Sequence, residues 1–187
     1  MAKINTCVFI SGKGSNLKKI FLKTSDYNFP IKVKLIISNN SNAYGLKFAK
    51  KMSIPYLIFK NNNILSEQKI LIELKKKNIT LILLAGYMKI LSKNFIRSFR
   101  KNILNIHPSL LPKYRGLNTF ERALNNKDKK TGCTVHYVNE KLDAGKIILK
   151  KYFFIDNNDN SSSLKEKTQK LEYKAYPEAI IKILNKN

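Results

Sequence analysis

Asn105, His107 and Asp143 are the residues whose types and spacing best suit chemistry in this chain. Asn105 and His107 stand two apart at the end of a short apolar run, Ile103 to Ile106, that reads as a strand. Residues at that spacing project from the same face of a strand. An amide donor beside an imidazole can stabilise an oxygen that gains negative charge, and can manage a proton. Pro108 ends the strand and Pro112 stiffens the loop that leads to Gly116. A histidine is more often structural than catalytic. His107, however, is one of only two in the chain and sits at a strand end, where α/β sheets place ligands. Asp143 falls in KLDAG, a turn between two strands, with Gly145 supplying flexibility. A carboxylate near an imidazole favours the imidazolium and raises its pKa, although an aspartate in a turn is common on its own. The second histidine, His136, lies inside the strand Thr131 to Val138. It reads equally as a partner behind the site or as a half-buried strand residue.

A second constellation is SGKGSN, Ser11 to Asn16, between the first strand and the first helix. Gly12 and Gly14 let the backbone turn tightly and approach a ligand, and a helix start offers free N–H groups to a phosphate. A plain structural turn is the competing reading. Leu17 stands where a dinucleotide fingerprint has its third glycine, and no acidic residue follows the second strand, which runs into SNNSNAYG. Ribose recognition of the nicotinamide-dinucleotide type is therefore unsupported.

These residues need a frame. Ile4 to Ile10, Ile31 to Ile37, Tyr56 to Phe59, Ile79 to Leu84 and Ile103 to Ile106 read as strands. Helices near Asn16 to Leu22, Tyr44 to Lys51 and Leu65 to Lys76 separate the earlier ones. Strands alternating with helices imply parallel pairing through right-handed crossovers, hence an open, mainly parallel twisted α/β sheet with a Rossmann-like N-terminal half. The rhythm then changes. A short helix, Thr119 to Asn125, precedes two strands, Thr131 to Val138 and Lys146 to Phe154, joined around Asn139 to Gly145 as a mixed-sheet extension. Ser163 and Glu166 resemble a capping box that starts a final helix ending near Leu184. A single domain, 1–187, is expected, with a phosphate-binding half over 1–100 and a catalytic half over 101–187.

Composition narrows the class. The formal net charge is +24, yet only four of the basic residues are arginines, and the lysines are spread along the chain. Arginine is the usual choice for bidentate recognition of phosphates and bases, so a solvated lysine-rich surface is favoured over a nucleic-acid-binding module. Anionic small molecules would still be attracted. No apolar run is long enough to span a membrane, and the start, MAKINTCVFISG, lacks the flanks of a secretion signal. Cys7 and Cys133 read as buried reduced thiols. A cytoplasmic location is expected; the oligomeric state is not legible.

Five segments in order carry a resemblance over nearly the whole chain. They are SGKGSN, LAGYMKIL at 84–91, NIHPSLLPKYRG at 105–116, GCTVHYVNEKLDAG at 132–145, and QKLEYKAYP near the C-terminus. Together they resemble the folate-dependent formyltransferases that act on glycinamide ribonucleotide. The resemblance implies direct attack of the ribonucleotide amine on the formyl carbon of 10-formyltetrahydrofolate, with no covalent enzyme intermediate and no metal. It implies that Asn105 and His107 stabilise the oxyanion, that His107 donates a proton, and that Asp143 raises its pKa and relays protons. Gly14, Ser15 and Asn16 would hold the substrate phosphate, and Glu172 would orient the amine. Met88, Lys89, Ile90 and Leu91, with Asn105, Asn139, Glu140, Lys141, Leu142 and Asp143, would meet the folate. Tyr87 and Met88 read as apolar walls in that light and as ordinary core otherwise.

Four positions depart from the pattern. Lys89 stands where the family often has arginine, Asn118 where histidine is common, the position matched to the family's folate-contacting arginine falls near Asn63, and Lys13 adds charge within the glycine turn. Two rival enzymes of similar pattern are not expected: a methionyl-transfer-RNA formyltransferase carries an added C-terminal domain that this length does not hold, and a formyl-folate hydrolase carries an added N-terminal one, whereas the first strand here begins at Ile4.

Overall fold

The computed structural model describes residues 2–60 and 64–185; Asn63 therefore lies outside the described residues. The chain divides into two compact units, Met1–Leu104 and Asn105–Asn187. All seven strands belong to one sheet, and the α/β class read from the sequence holds.

The first unit contains β1 (Ile4–Ile10), α1 (Ser15–Lys23), β2 (Ile31–Ser38), α2 (Tyr44–Lys51), β3 (Tyr56–Ile58), α3 (Ile64–Lys76), β4 (Leu81–Leu84) and α4 (Lys93–Phe99). β1 pairs in parallel with β2 and with β4, and β2 pairs in parallel with β3. A strand covered on both faces reads as an unbroken apolar run rather than an alternating one. Cys7 to Ile10, Leu35 to Ile37 and Ile82 to Leu83 are such runs, and all are fully buried. The helices bury one stripe each: Asn16, Leu17 and Ile20 on α1, Gly45, Leu46 and Ala49 on α2, and Glu67, Ile70 and Leu74 on α3. The three- and four-residue spacing is what places such residues on one helical face.

In this unit, two differences from the sequence reading have a clear physical cause. α4 was not anticipated: it has seven residues and buries only Phe95 and Phe99, too short a run for periodicity to mark it. Its start is a Ser92 side chain accepting the Phe95 N–H at 3.0 Å, and its end is Arg100 in the left-handed region. β4 begins at Leu81 rather than Ile79, because the Ile79 N–H is still bonded to the Leu74 carbonyl at the end of α3.

β5 (Asn102–His107) carries the chain across the division between the units. The second unit then contains α5 (Thr119–Asn125), β6 (Lys130–Tyr137), β7 (Ile147–Phe154) and α6 (Ser161–Leu184). β6 and β7 run antiparallel, as the mixed extension required. Gly132 admits no side chain, since a Cβ there would meet the backbone of Lys151 and Tyr152. α6 packs on this hairpin and buries Leu164, Thr168, Ala175, Tyr176, Ala179 and Ile180. Its capping box sits one turn earlier than Ser163 and Glu166. Asn160 is the N-cap, its side chain accepting the Ser163 N–H at 3.0 Å while Ser163 Oγ accepts the Asn160 N–H at 3.0 Å. The compact asparagine amide closes the helix end, so Ser163 takes the reciprocal position that the sequence reading gave to Glu166.

Candidate active site

The end of β5, Asn105 to His107, supplies the first residues of the second unit's site. Asn105 and His107 do project from one face, and both reach the carboxylate of Asp143. Asn105 Nδ2 donates to Asp143 Oδ1 at 3.4 Å, and His107 Nδ1 lies 3.3 Å from Oδ2. His136, on β6, brings its Nε2 to 3.6 Å from Oδ1 and 3.3 Å from Asn105 Nδ2. Its Nδ1 faces the Tyr137 carbonyl at 2.8 Å. A carbonyl only accepts, so Nδ1 carries the proton in that bond, while Nε2 faces both the Asn105 amide and the Asp143 carboxylate. The reading of His136 as a partner behind the site is thus the one its position favours.

Asp143 adopts a φ of 46°, a left-handed conformation that aspartate tolerates better than most residues. The backbone N–H of Gly116 donates to its Oδ2 at 2.9 Å. Gly145 matters here through the absence of a Cβ, which would strike the Tyr137 carbonyl, rather than through flexibility. The pKa of Asp143 is lowered. Burial pushes it up, but the hydrogen bond with His136, the Gly116 N–H and the electrostatic pull of the two imidazoles when they protonate together outweigh that.

His107 departs from expectation. Asp143 does push its imidazole up, and so does the Tyr114 carbonyl, but burial is the largest influence and leaves the group below its ordinary value. Near neutrality the site therefore holds an ionised carboxylate beside a neutral imidazole. The Nε2 of His107 meets the Tyr114 carbonyl at 2.8 Å and its Nδ1 the Asp143 carboxylate at 3.3 Å; both partners only accept, and the shorter bond takes the proton of the neutral ring, at Nε2. The second proton then arrives at Nδ1, beside Asp143. The loop that carries Tyr114 is stitched to β6: Thr134 Oγ1 donates to the Ser109 carbonyl at 2.7 Å and accepts from the Leu111 N–H at 3.1 Å.

The remaining predicted residues of this unit fall at its surface or on α6. Asn139 Oδ1 accepts the Lys141 N–H at 3.0 Å, which shapes the turn. Glu140 and Lys141 are exposed, as is Leu142. Glu172 is half-buried on α6. Its charge adds to burial in pushing the Cys133 thiol up to about 12. Both cysteines are free and buried.

The first unit holds the other predicted residues. Gly14, with φ 71°, is the N-cap of α1, and no side chain caps the helix. No acidic residue occupies its first turn, so its amide ends and dipole suit an anion. Ser15 and Asn16 open that helix. The preceding turn is pinned: Ser11 Oγ donates to Asn39 Oδ1 at 2.5 Å and accepts the Met88 N–H at 2.7 Å, and the Gly45 N–H donates to the Gly12 carbonyl at 3.1 Å. Beyond β4, Met88, Lys89 and Ile90 are exposed whereas Leu91 is buried. Tyr87 lies edge-on to Phe9 with centroids 5.3 Å apart, and burial followed by the Glu67 charge pushes its phenol up to about 12.

Glu67 and Tyr114 escaped the sequence reading. The buried Glu67 carboxylate accepts the Ser92 N–H at 2.9 Å and also the Ser92 hydroxyl, clasping the segment after Met88. Its only sequence signal is an acid on the apolar stripe of α3. Among the described residues, no group of three or more histidine, cysteine or acidic side chains could hold a metal ion, and no helix is long and apolar enough to cross a membrane.

Comparison with known proteins gives this site its setting. Residues 4–180 match the formyl transferase family. Over 174 residues the chain is 44% identical to phosphoribosylglycinamide formyltransferase of Haemophilus influenzae, covering 91% of this chain and 82% of that protein. The crystal structure of phosphoribosylglycinamide formyltransferase from Anaplasma phagocytophilum superposes with a TM-score of 0.89 at 35% identity, over 95% of this chain and 84% of that one. The enzyme of that name from Bacillus halodurans gives 0.91 at 32% identity, over 97% and 96%. Matches of this extent in sequence and fold place the chain in the formyl transferase family, among the phosphoribosylglycinamide formyltransferases.

Proposed function

We propose that the chain transfers the formyl group of 10-formyltetrahydrofolate to the amine of glycinamide ribonucleotide, a step of purine biosynthesis in the cytoplasm. The observation that carries the reading is the 44% identity to a phosphoribosylglycinamide formyltransferase over 91% of the chain. The convergence of Asn105, His107 and His136 on Asp143 supports it.

The reaction forms a bond from the amine nitrogen to the formyl carbon. The carbonyl electron pair moves onto oxygen, then returns as the bond to the folate nitrogen breaks. One proton leaves the attacking amine and one is delivered to the departing nitrogen. Asn105 supplies N–H groups for the oxyanion. Its present contacts, at 3.3 and 3.4 Å, are long for hydrogen bonds and are readily exchanged for a better acceptor. His107, neutral near neutral pH, takes the proton released by the attacking amine at Nδ1, where the Asp143 carboxylate stabilises the imidazolium, and the imidazolium then gives that proton to the departing folate nitrogen. In the first unit, the uncapped start of α1 at Gly14, Ser15 and Asn16 suits the substrate phosphate. The exposed Met88 and Ile90 of the first unit offer apolar surface of the kind a folate ring needs, with Lys89 and Leu91 beside them in sequence. Within the second unit, the exposed Leu142 is such a surface, with Asn139, Glu140 and Lys141 beside it in sequence. Glu172 carries the charge assigned to orienting the amine.

The test is formyl transfer from 10-formyltetrahydrofolate by the purified chain, offered glycinamide ribonucleotide, initiator methionyl-tRNA, or no acceptor. Turnover with the ribonucleotide alone is expected. Equal loss of formyl without an acceptor identifies a hydrolase instead, and turnover with the transfer RNA alone identifies a different acceptor.

A further inference from the structure

The loop after β5 is held by a side-chain knot that the transfer mechanism does not use. Tyr114 has a φ of 56°, a strained left-handed conformation for a bulky residue. Something must hold it there. Its phenol donates to Asp128 Oδ2 at 3.0 Å and accepts from Asn126 Nδ2 at 2.9 Å. Lys113 occupies the other oxygen, Oδ1, at 2.9 Å, and the Arg122 guanidinium lies 5.0 Å from the centre of the ring. All of these partners belong to this loop, to α5 or to the turn that follows it, within the second unit.

The consequence lies at the other end of the same residue. The strained backbone presents the Tyr114 carbonyl to His107 Nε2 at 2.8 Å. That acceptor keeps a proton on Nε2 and leaves Nδ1 toward Asp143 Oδ2 at 3.3 Å. We propose that Tyr114 is a positioning residue for His107: anchored through Asp128 and Asn126, it sets the imidazole tautomer and thereby aims the exchangeable proton at Asp143. The inference rests on His107 as the proton-handling group of the transfer reaction. The charged and titratable groups acting on that ring are Asp143, His136 and Arg122.

The experiment compares the full chain with Tyr114→Phe, which keeps the ring but loses the hydroxyl, and with Asp128→Asn. Nitrogen-15 NMR of the imidazoles reads the tautomer without substrate, and only two histidines contribute signals. In the parent protein the neutral His107 should carry its proton on Nε2. In either folded variant its signals should move toward a mixture of tautomers. Misaligning the proton path should lower kcat by about 10-fold or more and change its pH profile, with both KM values little altered. Unchanged imidazole signals in both folded variants overturn the proposal. A tautomer change with undiminished kcat supports the positioning and instead overturns the role of His107 in transfer. Where Tyr114→Phe fails to fold, Asp128→Asn carries the same comparison, because its carboxamide fills the same space.

Discussion

His107 is neutral by burial and chargeable by geometry, and this sets its pH behaviour. Its pKa is lowered, burial being the chief cause, and Asp143 is lowered as well. An imidazole that protonates less readily in the folded chain than in the unfolded one lets the unfolded chain bind more protons below about pH 6.5. Stability from His107 is therefore present above that value and lost as pH falls through the folded pKa. Asp143 adds its own loss at still lower pH, below the ordinary aspartate value. Urea unfolding should show the parent losing stability from pH 7 to pH 5 more steeply than His107→Gln; identical slopes would contradict the burial argument. In turnover, His107→Ala or Asp143→Ala should cost about 100-fold or more in kcat, the scale of proton transfer and oxyanion stabilisation. Near-normal turnover in a folded variant would remove that residue from the mechanism. The residue types were legible beforehand because Asn105 and His107 share a strand face by simple alternation. The net direction at His107 was not. It depends on how much water the fold excludes, and a nearby carboxylate in the sequence says nothing of that.

Among the elements, the β1–α1 turn tolerates little change. Gly14 has φ 71°, and a Cβ there would stand 2.7 Å from the Cα of Gly45. Backbone meets backbone, so neither side can yield by a side-chain rotation. Gly14→Ala should lower stability by about 1–3 kcal/mol, from left-handed strain and the collision together. It should also raise the KM for the phosphorylated substrate more than that for the folate. Chemical denaturation and initial-rate kinetics check both, and equal rises in the two KM values would argue against a phosphate at this helix start. The spans of β1, α2 and α5 were readable from the chain because each is a largely apolar or periodic run flanked by polar or glycine-bearing segments. α4 was invisible because two buried phenylalanines are too few to show a period, and Glu67, which clasps its N-cap, comes from a different helix.

For the whole molecule, the +24 charge acts at a distance rather than through any one contact. A field of that sign draws anionic substrates, and salt screens it over about 10 Å at 0.1 M. The KM for glycinamide ribonucleotide should accordingly rise when ionic strength goes from roughly 20 to 300 mM, with kcat much less affected. A flat KM would show that the lysines only solvate the surface. The α/β class, the order of strands and helices apart from α4, and the residues with chemical potential follow from local features of the chain: periodicity, turn residues and the spacing of side chains along one strand. Tertiary structure alone decided which nitrogen of His107 faces Asp143, that burial outweighs the carboxylate in setting its charge, and that Tyr114 stands behind it. Those outcomes depend on groups far apart in sequence, and local spacing carries no information about where such groups meet.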